Sequence, residues 1–231
     1  MIIIKKKFFV AFLLFVFLLL VIYKFQPKTL PTSSLPISNH VIILDAGHGY
    51  PDGGATGDDG TLESDLNLEI VLKLQEYLES SGTTVLLTRS DENGIYDTDS
   101  SSIRNKKVSD MNNRVKIANE SNAEVFVSIH MNKLPQKQYS GWQTFYKNTD
   151  EISKDIANEI QNSLNSYMGK ENNRQIKSIS GIYLTKNVEI PLVLVECGFL
   201  SNEEEKNLLK NKTYQEKIAW SIYIGLMNYF N

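Results

Sequence analysis

Short apolar runs constrain this chain more than any other feature: Val41-Ile42-Ile43-Leu44, Val125-Phe126-Val127-Ser128-Ile129 and Leu192-Val193-Leu194-Val195. A strand that is apolar at successive positions is covered on both faces, which is the habit of parallel sheets. Between these runs lie stripes at spacing four. Leu66, Ile70, Leu74 and Leu78 predict a helix over 64–80, closed by Gly82, and Ile152, Ile156, Ile160, Leu164 and Met168 predict a second, longer one. Met111, Val115 and Ala118 predict a helix over 109–121, and further strands are expected at 84–88, 141–146 and 179–184. Ser201–Glu204 and Thr213–Glu216 match the S/T-x-x-E capping box and are expected to open the last two helices. Strands alternating with helices specify a three-layer α/β domain, with a mostly parallel central sheet and helices on both faces. With 231 residues, 42% hydrophobic and 22% charged, the chain can bury one such core and not two. Its single cysteine excludes a disulfide scaffold or a Cys-rich zinc ribbon. No 20–50-residue period recurs, which excludes a solenoid.

The N-terminus has a different character. Lys5-Lys6-Lys7 precedes an apolar run from Phe8 to Tyr23 that has no polar face, so it reads as a hydrophobic anchor helix within residues 1–31. The positive cluster lies before the span, which puts residues 24–231 outside the cytoplasm. Residues 24–36 contain no A-x-A-like cleavage site; with one, the protein would be secreted instead. Residues 32–40 are expected to be a linker and 41–231 the folded domain. Setting aside the five lysines of 1–31 leaves 19 basic against 27 acidic residues, a charge of −8. That is a poor footprint for nucleic acid, and none is expected as a partner.

In an open α/β sheet, ligands gather at the carboxyl ends of strands, and four chemical groups fall at strand ends or helix starts: His48, His130 and Glu196 at the former and Glu63 at the latter. His48 follows the first strand in Leu44-Asp-Ala-Gly-His48-Gly, at the head of a segment holding six of the 13 glycines. It is neither a P-loop nor a dinucleotide fingerprint. His130 ends the second apolar run and Glu196 the third. Two histidines and one carboxylate form a catalytic zinc set with a position left for water. On chemistry alone the third ligand is Glu63, Asp65, Glu69 or Asp52. A carboxylate at the end of an apolar strand is costly unless it is paired, protonated or beside a metal, so Glu196 is a candidate general base. Asp45, three residues before His48, is a candidate to orient it. Cys197 reads as a small buried residue.

The segments around His48, Glu63 with Asn67-Leu68, Leu87-Thr-Arg89, Asn113-Arg114-Val, Ser128-Ile-His130-Met-Asn132 and Val195-Glu196-Cys-Gly-Phe-Leu-Ser-Asn202 occur in this order. Together they resemble the zinc-dependent N-acetylmuramoyl-L-alanine amidases over residues 41–231, and the layout is most similar to the spore-cortex branch. The resemblance implies zinc held by His48, Glu63 and His130, with Glu196 as the catalytic glutamate. The implied substrate is peptidoglycan, cut between N-acetylmuramic acid and L-alanine during spore-cortex maturation, outside the cytoplasm and between the forespore membranes. A zinc carboxypeptidase acting on stem peptides and a non-catalytic wall-binding domain are the alternatives. The chain departs from the family pattern at Lys133 and at Arg174-Gln-Ile-Lys177. The glycine-rich loop needs ordering when the metal binds, so an exported accessory protein that supports zinc binding is one expectation and a self-sufficient monomer the other.

Overall fold

The computed structural model describes residues 8, 9, 12, 14–19, 35–99 and 101–231, in two units divided after Ser34. The expected anchor falls largely outside the described residues; those of its run that are described are helical. Among the described residues, no helix is long and apolar enough to cross a membrane. The second unit starts at Leu35, earlier than the expected boundary at 41. Ile37 is the reason: it is fully buried in the main core, and its carbonyl accepts a hydrogen bond from Thr83 Oγ1 at 2.9 Å.

Six strands form one sheet in the order β2-β1-β3-β6-β4-β5, where β1 is Val41–Ala46, β2 Thr84–Leu87, β3 Val125–Asn132, β4 Gln143–Lys147, β5 Lys177–Ile179 and β6 Leu192–Phe199. All pairings are parallel except β4 with β6, so the mostly parallel expectation holds. Helices α1 (Glu63–Ser80), α3 (Glu151–Tyr167) and α6 (Lys212–Tyr229) cover one face. There Ile42, Leu44, Val127, Ile129, Val193 and Val195 meet Ile70, Leu74, Ile160 and Ile222. Helices α2 (Ile103–Glu120) and α4 (Tyr183–Asn187) cover the other, over Ile43, Phe126 and Leu192. The central apolar runs therefore feed two cores by simple alternation, each fully buried side chain contributing about 1.5–3 kcal/mol.

Three local expectations are corrected. The strand at 179–184 ends at Ile179, and α4 starts at Tyr183, after the Ser180-Gly181 break. Helix α2 begins six residues before 109, because 103–108 is largely exposed and carries little apolar periodicity. Both capping boxes are displaced: Asn202 caps α5 (Glu203–Leu209) and Asn211 caps α6, each accepting a backbone N–H three residues on. Asparagine is as good an N-cap as serine and better than threonine; Ser201 lies one place before the cap of α5, and Thr213 is already the second residue of α6.

Candidate metal centre

The carboxyl edge of β1, β3 and β6 collects the chemical groups. Strand β3 continues past His130, and β6 past Glu196, so both lie within strands and stand opposite each other in the ladder. Between that pair and Asn132–Phe199 the register shifts, leaving an extra residue in β6. Such bulges re-aim side chains beside functional sites. By alternation Asp45, Ser128, His130 and Glu196 project on the α2 face, whereas Cys197 points into the opposite core; burial pushes its thiol well up, which suits a packing residue and not a nucleophile. His48 lies in the β1–α1 loop and Glu63 is the first residue of α1. The third histidine, His40, lies before β1, where it donates to Glu124 and stacks on Phe230.

His48, Glu63 and His130 each offer one ligand atom, and the three atoms lie within 4.8 Å of one another. His130 Nδ1 is 2.9 Å and His48 Nε2 3.3 Å from the same oxygen, Glu63 Oε1. Of the four carboxylates open on sequence grounds, Glu63 is the one brought into this cluster. Asp65 and Glu69 are exposed on α1, and Asp52 sits behind His48 with its Oδ2 3.1 Å from Nδ1. Burial would raise the Glu63 carboxyl, but its contacts with His130 and His48 outweigh this and hold it well below the usual range. Burial would likewise lower His48, yet its contacts with Asp52 and Glu63 raise it to about 9. These carboxylates favour the proton on the ring, so a divalent ion bound here must compete with it.

Glycine makes this approach possible. A Cβ on Gly47 would lie 2.3 Å from the His130 ring, and one on Gly54 (φ +68°) 2.7 Å from Glu63 Oε2. His48 itself adopts φ 64°, a left-handed conformation that costs a non-glycine residue roughly 1–2 kcal/mol. Two buried arginines hold it there. Arg114 donates to His48 O at 2.6 Å and to Ala46 O at 2.9 Å, while Arg89 donates to Ala46 O, Gly47 O and Ser64 O. Asn67 adds a bond to Gly47 O at 3.0 Å. The loop's carbonyls are therefore clamped from behind, and its metal-facing side is left to the ligands.

Asp45 does not orient His48. Its carboxylate accepts from Arg114, Thr88 and Ser128 and is fully buried, and the place beside His48 goes to Asp52. Burial would raise the Asp45 carboxyl, but the Arg114 guanidinium holds it below the ordinary range.

Glu196 differs from all of these. It lines a cavity of about 340 Å³ together with His48 and His130, and its Oε2 is enclosed with no hydrogen-bond partner among the described residues. Burial pushes its carboxyl up to about 7; the charge of His130 opposes the rise and that of Glu63 adds to it. An orphaned carboxylate oxygen facing a His-Glu-His cluster is what a site for a divalent ion and a water molecule requires, and the donor set fits zinc.

The family model for N-acetylmuramoyl-L-alanine amidase matches residues 42–228. A germination-specific N-acetylmuramoyl-L-alanine amidase of Bacillus subtilis is 39% identical over 229 residues, covering 98% of this chain and 96% of that protein. The B. subtilis amidase LytC is 32% identical over 84% of this chain, which spans 36% of it. Among solved structures, the CwlD amidase of Clostridioides difficile, in complex with the GerS lipoprotein, is 50% identical with a TM-score of 0.81, covering 83% of this chain and 98% of that one. The catalytic domain of CwlV from Bacillus (Paenibacillus) polymyxa is 30% identical with a TM-score of 0.70, covering 82% and 97%.

Proposed function

The chain belongs to the N-acetylmuramoyl-L-alanine amidase family, and on that premise we propose how this member works: zinc-dependent hydrolysis of the bond between N-acetylmuramic acid and L-alanine in peptidoglycan, serving the spore cortex. The observation that carries the reading is the unpartnered Oε2 of Glu196 in one cavity with His48 and His130.

His48, Glu63 and His130 would hold the metal. Bound zinc supplies Lewis-acid polarisation of the amide carbonyl and brings water to a pKa near ~7. Glu196 takes a proton from the water as its oxygen adds to the lactyl carbonyl carbon. It returns that proton to the nitrogen of L-alanine as the C–N bond breaks, so one water enters and a carboxylic acid and a free amine leave. Burial raises the Glu196 carboxyl above the ordinary range, which favours its return to neutrality after proton transfer, as a group that first accepts and then gives up a proton needs. Asp52 orients the His48 ring, and Arg114 and Arg89 hold the loop that carries it.

Residues 1–31 act as a membrane anchor with the basic cluster on the cytoplasmic side, 32–34 as a tether, and 35–231 as the catalytic unit outside the cytoplasm. The germination-specific relative supports the spore assignment. The CwlD–GerS complex supports an accessory protein partner; a role for it in zinc binding rests on the ordering that the glycine-rich loop requires.

The test is product analysis. The full chain, incubated with defined muropeptides and zinc, should release intact stem peptides bearing a new amino-terminal L-alanine. Trimmed stems would point to a carboxypeptidase, and retention without cleavage to a binding module. Alanine at His48, Glu63 or His130 should abolish both bound zinc and cleavage. Stoichiometric zinc with full activity in any one of them would remove that residue from the ligand set.

A further inference from the structure

The cavity holding Glu196 extends beyond the metal residues, and its rim is cationic. Of the residues that line it, Leu184 and Leu194 are buried and Met111 and Ile182 half-buried, whereas Tyr96 and Lys106 are half-buried and Lys107 is exposed. Lys107 is already engaged, with its Nζ 2.8 Å from Asp52 Oδ1. Lys106 is not: its Nζ stands 4.6 Å from the centroid of the Tyr96 ring, and it makes no ion pair among the described residues. Stacking over a tyrosine face positions an ammonium without neutralising it.

The surroundings make this charge conspicuous. Helix α2 places Arg104, Lys106 and Lys107 within its first five residues and has no acid in its first turn. The N-terminal end of a helix disfavours cations by about 0.3–1 kcal/mol each. These residues therefore weaken the helix that carries them, in a domain whose net charge, with them included, is −8. Asp52 offsets this for Lys107, whereas the Lys106 ammonium is left for an anion in the cavity.

The chemistry on either side of the scissile amide identifies that anion. Resting on the amidase reading, the glycan side is a chain of N-acetylated sugars whose lactyl carboxyl is already tied up in the amide. Every free carboxylate belongs to the peptide. We propose that Lys106, seated on Tyr96, is the subsite for the first free carboxylate beyond L-alanine, so that the enzyme selects acidic stems over amidated ones.

Two substrates that differ only at that position, carboxylate against carboxamide, test this with the full, zinc-loaded chain. The wild type should favour the carboxylate about tenfold in kcat/KM, the scale of one charge-assisted hydrogen bond at a partly exposed site. Lys106→Gln should bring the two substrates within twofold, by raising KM for the carboxylate form. Lys106→Glu should invert the order. Lys106 lies at the cavity rim, outside both cores, and unchanged thermal unfolding of the variants would show that the fold persists. Equal cleavage of both substrates by the wild type, or a preference that survives Lys106→Gln, overturns the subsite alone. Failure of the wild type to cut either at the sugar–peptide amide overturns the amidase reading and the subsite with it.

Discussion

Two polar clusters share the strands β1 and β3, one below the other, and they are built on opposite principles. In the lower one Asp45 accepts from Arg114, Thr88 and Ser128, and Arg114 spends its remaining donors on Asp110, Ala46 O and His48 O. None of their side-chain polar atoms is left without a partner. In the upper one Glu63, His48 and His130 crowd one oxygen, His48 sits at positive φ, and Glu196 Oε2 has no partner. Both set buried carboxylates against nitrogen bases. The lower is closed and rigidifies; the upper is open and waits for a ligand. Buried charge alone therefore does not mark a reactive site. Here the orphaned Glu196 oxygen shares its cavity with two histidines, and the closed cluster below supplies the restraint that keeps His48 at positive φ.

The sharpest way to separate the two is to alter one member of each. Glu196→Gln should leave zinc stoichiometry and the melting temperature near wild type while kcat falls by about 10²–10⁴, the contribution of a positioned general base. A near-wild-type rate would mean that the open oxygen is not the base. Arg114→Met should act on stability, because it strands the Asp45 carboxylate in the core; breaking a buried pair costs about 3–5 kcal/mol. The sign with pH also differs. In the wild type Asp45 titrates lower folded than unfolded, so its stabilisation is present above pH ~4 and is lost as pH falls below that. Without Arg114, burial raises the carboxyl instead, and the destabilisation should ease as pH falls from 7 toward 5. Urea unfolding of both proteins at several pH values measures this. Parallel curves would show that Arg114 and Asp45 are not one unit.

The sequence makes the upper cluster legible and hides the lower. His48, His130 and Glu196 each follow an apolar run whose periodicity marks a strand end, so the topological rule for α/β sheets reaches them from local pattern alone. Arg114 reaches Asp45 across 69 positions of sequence, and nothing in the spacing of α2 distinguishes it from a solvated arginine. Its motif, Asn113-Arg114-Val, is visible through resemblance, but its work on His48 O is a tertiary fact. Asp52 is hidden in a similar way. The positive φ of His48 turns the ring back toward a residue four positions on, an arrangement no periodic pattern announces. Ile179–Leu184 fails for a local reason, since an apolar run of that length suits a strand or a short helix equally until the Ser180-Gly181 break is given weight.

Asp52 is the smallest lever and the most informative, because it belongs to the open cluster yet behaves like a member of the closed one. Its Oδ2 faces His48 Nδ1 at 3.1 Å, while Oδ1 accepts from Gly54 N at 3.2 Å and pairs with Lys107 at 2.8 Å. It fixes which nitrogen of His48 is free for a metal and ties the loop to α2. Asp52→Asn keeps an acceptor for Gly54 but removes the charge that orients the ring and holds Lys107. Loss of such an outer partner typically lowers metal affinity about 10–100-fold. Zinc competition against a chromophoric chelator should therefore show that weakening, and kcat at saturating zinc should stay within a few-fold of wild type, because Glu196 is untouched. Asp45→Asn makes the control, since it should lower stability through Arg114 with little change in the intrinsic zinc affinity of the folded protein. If Asp45→Asn weakens zinc as much as Asp52→Asn does, the clusters are one cooperative unit, and the boundary between a closed support and an open site disappears.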